Sequence, residues 1–481
     1  MLEERNILGP GRSSLTRELL WLALPLVAAT ASRMLMGFID FVMVAKLGTD
    51  AQAAMSPATL LVWAFIALGM GMATSVQTFT SQAQGRGEPE RGPAYAWQCV
   101  YLGLALSLVA WPATRWIPAL YDWIGTVARH APGVRTLEIE YTQIAVWSMI
   151  PSVMAAGLEG FFNGIQRPRV TLMAVLVSLT TLVIGNYLLI WGHCGFPRMG
   201  IAGSALATVI AWWTRVAVLF TVFCSAEFNR TYHTRRSFAP SWRRCLDIFR
   251  IGGPTSVAWL IDISSWVVFL NLIVPPFGTA AMAATAIALQ YTHAAFMPAI
   301  GVGMALCSQV GFALGAGRPD EAAARTRTAL RLTMAYMGGI GLLLFLLRGP
   351  LMSAIAVDAA VIAAGMWIMC WVALYQVFDA MSITFIYALR GAGDTRTPAV
   401  LNAVCCWLVF IGGGYLVARV CPTWGVNGPW LMAVTYLTVL GLLLWWRYRA
   451  GAWRKIRLFE DRGATPAPAA VTPLGSAGGE A

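Results

Sequence analysis

The chain has 481 residues, of which 58% are hydrophobic and only 12% charged, about half the charged share of an average soluble domain. Its 22 acidic and 34 basic residues cannot coat the surface that soluble domains of this total length would expose, so lipid must solvate much of it. A net charge of +12 invites a nucleic-acid partner, but the arginines are dispersed along the chain and form no compact stripe. Nucleic acid is therefore excluded, and topology together with anionic lipid headgroups accounts for the charge.

A helix that crosses a bilayer needs about 20 mostly apolar residues. Twelve runs meet that requirement: 19–45, 54–79, 94–117, 141–162, 170–192, 201–226, 249–274, 280–303, 329–347, 361–389, 399–420 and 426–448. The first is too long for a removable leader and lacks a small-residue cleavage site, so it is expected to stay in the mature chain. Alternating-strand patterns are absent, which excludes a β-barrel. With the amino terminus inside, twenty-five Lys and Arg residues, from Arg5 to Arg462, face the cytoplasm and only seven, Lys46 and Arg115 among them, face the other side. The chain is thus expected to be a multi-pass protein of a bacterial plasma (inner) membrane with both termini cytoplasmic.

An internal repeat runs through the twelve segments. Pro25 in WLALPLVA pairs with Pro254 in RIGGPTSVA, and GMGMATS at Gly69 with GVGMALC at Gly301. FFNGIQRPRV at Phe161 pairs with ALRGAGDTRTPAV at Ala388, and GIAGSALATVIAWW at Gly200 with GVNGPWLMAVTYLT at Gly425. The expected architecture is therefore an all-α integral membrane protein, twelve transmembrane helices in two six-helix lobes. Because six is even, both lobes enter from the same side and their pseudo-twofold axis runs along the membrane normal. The predicted organisation is a cytoplasmic amino-terminal segment 1–18, an N-lobe 19–226, an inter-lobe connection 227–248, a C-lobe 249–448 and a cytoplasmic tail 449–481. That tail is Ala/Pro/Gly-rich and expected to be disordered from Gly463. Repeats of this kind are typical of transporters that work by alternating access.

Charge inside a bilayer is costly, so an intramembrane ionisable group faces an internal cavity and has a function by default. Six such residues fall within the predicted spans: Arg33, Asp40, Glu159, Arg215, Asp262 and Asp379. Asp40 reads either as a carboxylate for a proton, sodium or cationic substrate, or as an interfacial partner of Lys46. Asp262 and Asp379 are central in their spans, where a carboxylate is suited to cycling a proton or binding a cation. Arg33 lies two turns before Asp40 on the same helix face, and a standing ion pair is the plain reading. The alternatives are that Arg33 releases Asp40 when protons or substrate arrive, or holds Asp262, whose place in the repeat it nearly mirrors. Glu159 can snorkel to the interface, with Arg215 paired to it or to lipid. His293 reads as hydrogen-bonded to a neighbour. Trp259, Trp266 and Tyr375 lie within about two turns of the central carboxylates and suit a flat organic cation by stacking and cation–π attraction. Arg33 and Asn186 join them as substrate-binding candidates, Asn186 having helix packing as its alternative. The 21 methionines fit a pliable apolar cavity as well as ordinary core packing.

The nine cysteines are scattered and show neither a CxxC spacing nor a paired Cys/His pattern, so no disulfide framework or zinc site is expected. No His/Asp, Ser/Lys or HExxH constellation is present, which argues against a membrane-embedded enzyme. Two matched halves without a filter-like repeat argue against a passive channel.

These residues resemble the multidrug and toxic compound extrusion (MATE) family, over nearly the whole chain. The first span is similar to the family pattern through Pro25, Met36, Gly37, Asp40, Met43, Leu47 and Gly48. The tenth-span signature reappears as Asp379 followed by LRGAGDTRTP at Leu389–Pro398, and GNYLLIWG (Gly185–Gly192) and GIAGSALAT (Gly200–Thr208) also resemble it. The acidic residue of the seventh span points to the NorM-like branch, where glutamate is usual; Asp262 stands there instead. Arg33 departs from the amide-type residue usual in that branch. The resemblance implies a monomeric exporter of organic cations or other amphipathic drugs, driven by inward sodium or protons and using no cofactor beyond the coupling ion. Asp379 and Asp262 are its expected ion ligands, of Na+ if sodium is the ion, and Asp40 assists. A lipid-intermediate flippase of the same broader superfamily is the alternative, disfavoured by twelve spans and three central carboxylates.

Overall fold

The computed structural model describes residues 12–128 and 132–459. The predicted disordered segment from Gly463 and residues 1–11 lie outside them. Twelve helices among the described residues are long and apolar enough to cross a membrane. In chain order they are α1 (Leu15–Ala45), α2 (Thr49–Gly85), α3 (Arg91–Asp122), α4 (Gly133–Gly164), α5 (Pro168–Trp191) and α6 (Ile201–Phe223). The second half holds α7 (Trp242–Phe277), α8 (Thr279–Gly315), α9 (Pro319–Leu346), α10 (Ala359–Ala392), α11 (Arg396–Val420) and α12 (Asn427–Arg449). Large apolar side chains such as Leu24, Leu108 and Leu408 are more than two-thirds exposed on the outside of this bundle, where hydrocarbon is the natural solvent.

Several spans are interrupted rather than straight. Helix α2 breaks at Thr74 and α3 at Leu106; α7 ends in a π-turn at Phe269–Ile273 and α11 carries another at Cys405–Gly412. Pro25, Pro57, Pro254 and Pro298 sit inside helices, each removing one intrahelical donor.

The apolar residues form two main cores. One is built from α7–α12, the other from α2–α6 and the end of α1. Leu19, Ala23 and Leu26 from the first half of α1 belong to the opposite core, because that half packs on α8 while α7 packs on α2. The N-lobe predicted as 19–226 is thus not self-contained.

The repeat reappears atom by atom at the seam between the lobes. A Cβ added to Gly301 would lie 2.7 Å from the Val27 nitrogen, and one added to Gly71 would lie 2.5 Å from Ser256 Oγ. Val27 and Ser256 occupy matching places in the repeat, so the structure sets Gly71 opposite Gly301, two residues on from the register at Gly69 read in the sequence. Likewise Ser308 Oγ donates to the Asn163 carbonyl at 2.8 Å, and Thr78 Oγ1 to the Arg390 carbonyl at 3.0 Å. Gln77 Nε2 donates to the Met304 carbonyl and Ser308 Oγ, and Gln82 Nε2 to the Gly391 carbonyl. These bonds explain why α2 and α8 run past their predicted ends at Phe79 and Gly303. Their last turns are polar because they face the other lobe rather than lipid.

The connection 227–248 is largely structured. A short helix covers Ala226–Tyr232, and α7 begins at Trp242, so Arg243 and Arg244 lie in its first turn. The intervening strand of chain is fastened to α3: Trp97 Nε1 donates to the Thr234 carbonyl at 2.8 Å and the Ser241 amide to Gln98 Oε1 at 3.0 Å. After α12 the chain turns back, buries Trp453 against Tyr448, and seats Phe459 beside Phe79 and Tyr95 of the first half.

Candidate functional site: a charged cavity beside a buried carboxylate network

Five of the eight candidate residues come together on one cavity of about 510 Å³. Asp262 and the two tryptophans, Trp259 and Trp266, project from α7, and Asp379 and Tyr375 from α10. Seven-residue spacing places Trp259 and Trp266 on one face of α7, with Asp262 a turn from each. The same geometry sets Tyr375 one turn before Asp379 on α10. Most other lining groups are aliphatic or aromatic, so the charged side chains, Asp262, Asp379, Asp394 and Arg390, are the exceptional chemistry.

Asp262 is held by partners that the sequence did not disclose. Tyr436 of α12 donates its hydroxyl to Oδ1 at 3.4 Å, and the Cys406 thiol of the α11 π-turn approaches at 3.8 Å. A Tyr in an apolar run carries no signal by itself. Asp379 has no basic partner among the described residues and lies within electrostatic reach of Asp262. Tyr375 is buried and donates to Thr292 Oγ1 at 3.0 Å, which fixes its ring in the wall. His293 also lines the cavity, with Nδ1 3.0 Å from the Leu289 carbonyl, as a neighbour-bonded histidine should. Carboxylates with hydroxyl oxygens around them are hard oxygen donors that suit Na+ or a proton.

Asp40 lies elsewhere, buried among α1, α5 and α6 of the first half. It accepts from Asn186 Nδ2 at 2.7 Å and from Ser204 Oγ at 2.6 Å. Asn186 therefore holds Asp40 and is not among the cavity-lining residues. Ser204, from the small-residue stretch GIAGSALAT, is a partner of Asp40 that the sequence reading did not single out.

The expected ion pair of Arg33 with Asp40 does not form. Arg33 reaches across to Glu159 of α4 at 3.2 Å, and the other oxygen of Glu159 pairs with Arg215 of α6 at 2.5 Å. Equal helical phase brings Arg33 and Asp40 to one side of α1, but two turns separate them and each finds a nearer partner on another helix. Glu159 does not snorkel; it is buried as the common partner of two guanidinium groups, one of them the anticipated Arg215. Nor does Asp40 turn to Lys46.

Comparison with known proteins agrees with this architecture. The family model MatE matches residues 25–188 and 256–416, one match in each half. The chain is 30% identical over 459 residues to the probable multidrug resistance protein NorM of Chromobacterium violaceum, covering 93% of this chain and 96% of that one. It is 26% identical over 440 residues to the multidrug resistance protein MdtK of Edwardsiella ictaluri, covering 90% and 95%. Among solved structures, a MOP superfamily transporter from Pyrococcus furiosus, described as having a binding pocket of reverse polarity, superposes with a TM-score of 0.82 at 19% identity, covering 94% of this chain and 100% of that one. The eukaryotic MATE transporter AtDTX14 superposes equally well, with a TM-score of 0.82 at 19% identity over 93% and 98% of the two chains. Two family matches in register with two lobes, and a relative aligned over nearly its whole length, establish that the chain belongs to the MatE family.

Proposed function

We propose that the protein exports organic cations or other amphipathic drugs across a bacterial inner membrane in exchange for inward Na+ or H+, by rocking its two lobes about the seam. The observation that carries this reading is the pair of half-buried carboxylates, Asp262 and Asp379, in a cavity whose lining is mostly apolar and aromatic. A cationic drug gains charge attraction from the carboxylates and stacking from Trp259 and Trp266. A coupling ion gains the same carboxylates, and two ligands competing for one pair of charges cannot occupy it together at full strength. That competition is the elementary requirement of exchange. Asp40, in the other lobe, assists as a third carboxylate held by the neutral donors Asn186 and Ser204. An even number of spans puts both termini on one face, and the excess of arginine there makes it the cytoplasmic one. A single chain encloses the whole cavity, so a monomer suffices for transport, and the reading needs no enzymatic step.

The test is efflux of a fluorescent organic cation from proteoliposomes under an imposed proton or sodium gradient, for wild type and Asp379→Asn. One gradient should drive the wild type, while the variant inserts normally and loses coupled efflux by at least tenfold. Undiminished efflux by the variant refutes the role of Asp379, and no movement under either gradient refutes the exporter reading.

A further inference from the structure

The two lobes are shut against each other where α2 and α8 end. A Cβ added to Gly85 would run into the Phe312 carbonyl, and one added to Gly315 into the Gln82 carbonyl. Backbones this close leave no passage between the helix ends. In the topology proposed above this is the cytoplasmic face, and alternating access requires it to part at some point in the cycle.

The chain bridges the two lobes on this face once more, after α12. Trp453 is buried in the core of the second half, with Nε1 donating to the Tyr448 carbonyl at 2.8 Å and its ring stacked on Tyr448. Arg454 beside it pairs with Asp320, in the first turn of α9, at 3.2 Å. Leu458 is still held by the second half, since a Cβ added to Gly393 would lie 2.8 Å from its Cδ2. The very next residue belongs to the other lobe. Phe459 is 6% exposed and part of the first-half core, edge-on to Phe79 of α2 and Tyr95 of α3, whose own rings stack at 4.3 Å. The Arg86 and Arg91 guanidinium groups lie 5.6 and 5.3 Å from the centre of its ring, and Arg86 also donates to the Phe459 carbonyl at 3.3 Å. Successive Cα atoms are only about 3.8 Å apart, so Leu458 and Phe459 cannot both stay seated once the lobes separate on this face.

We propose that this strap is a latch: Phe459 in its aromatic and cationic seat holds the lobes closed on this face, and its withdrawal is a step of the opening. The assignment rests on the exporter reading for the motion and adds to it the element that restrains it. The first-lobe end is the one that yields, because it is a single ring, whereas Trp453, Arg454 and Leu458 together fasten the other end. Edge-on aromatic contacts and cation–π attraction make a hold that can be broken and remade. Arg91 keeps its Glu88 partner, at 3.0 Å, when the ring leaves, so the vacated seat does not strand that charge.

Native cysteines report the opening. Cys307 is buried at the seam beside Thr78 of the other lobe, and Cys99 is buried within the first-lobe core. Alkylation of both by a small water-soluble maleimide is followed by peptide mass spectrometry on the purified full-length protein in detergent, for wild type and Phe459→Ala. The expected result is that Phe459→Ala speeds alkylation of Cys307 at least fivefold and leaves that of Cys99 unchanged. Equal acceleration at both cysteines means that the substitution loosens the fold as a whole, and no acceleration at Cys307 means that the strap restrains nothing; either result overturns the latch. Alkylation needs neither a gradient nor a substrate, so the exporter reading stands or falls separately, on the efflux assay.

Discussion

Glu159 is one acid between two bases, and that ratio decides what its removal does. Its oxygens lie 3.2 Å from Arg33 and 2.5 Å from Arg215, whose side chain is only 2% exposed. Taking one member from a buried ion cluster leaves the others charged and unpaired, which costs about 3–5 kcal/mol. Glu159→Gln should therefore lower the melting temperature in detergent markedly, and adding Arg215→Gln to it should recover part of the loss. A double variant that melts no higher than the single one contradicts the charge argument. The partner of Arg33 was not legible in the sequence for a simple reason: helical phase ranks neighbours on the same helix, whereas Glu159 lies 126 positions away on another. The same limit hid Ser204 from Asp40 and Tyr436 from Asp262. What could be read was each intramembrane charge itself, because hydrocarbon makes every one of them an exception that needs an internal place.

At the scale of elements, the segment after α12 acts as a strap. Trp453 is buried and donates to the Tyr448 carbonyl, Arg454 pairs with Asp320 at 3.2 Å, and Leu458 lies against Gly393, all in the second half. Phe459 then crosses into the first half, edge-on to Phe79 and Tyr95, with the guanidinium groups of Arg86 and Arg91 over its ring. Removing a buried Phe ring costs roughly 3–5 kcal/mol, but here the loss is local to the last few residues, which have little else in the first half to hold them. Phe459→Ala should speed tryptic cleavage at Arg454 and Arg457 severalfold without unfolding the helices, read by intact mass over time; an unchanged rate means that Trp453 and Leu458 alone hold the strap. The sequence reading set 449–459 apart from the Ala/Pro/Gly-rich run that starts at Gly463 but gave it no packing partner, because its contacts are with distant helices. The twelve spans, by contrast, were plain, since lipid enforces length and hydropathy together. Their ends were misjudged where polar residues continue a helix into the seam, as at Gln82 and Ser308, and where charged first turns precede the apolar run, as at Trp242 and Pro319.

Across the whole molecule, the two lobes meet in contacts some of which occur as repeat-related pairs. The Thr78 bond from α2 to the Arg390 carbonyl has its counterpart in the Ser308 bond from α8 to the Asn163 carbonyl, so opening the seam breaks both together. Joint loss of such bonds would disfavour intermediate openings, the condition that alternating access sets on a seam. Thr78 offers a way to test this, because its Oγ1 lies 3.9 Å from the thiol of native Cys307 across the seam. Thr78→Cys would place two thiols there, each on a different lobe, at a separation that a disulfide can close with a small adjustment. Wild type has free cysteines throughout, so the oxidant alone is the control. Oxidised Thr78→Cys should be fixed with this seam shut and lose coupled efflux by at least tenfold, while reductant restores it. If mass spectrometry shows the cross-link formed and efflux continues, the seam at Thr78 does not part during transport. The motion would then have to lie within a lobe, around Asp262 and Asp379, rather than between the two.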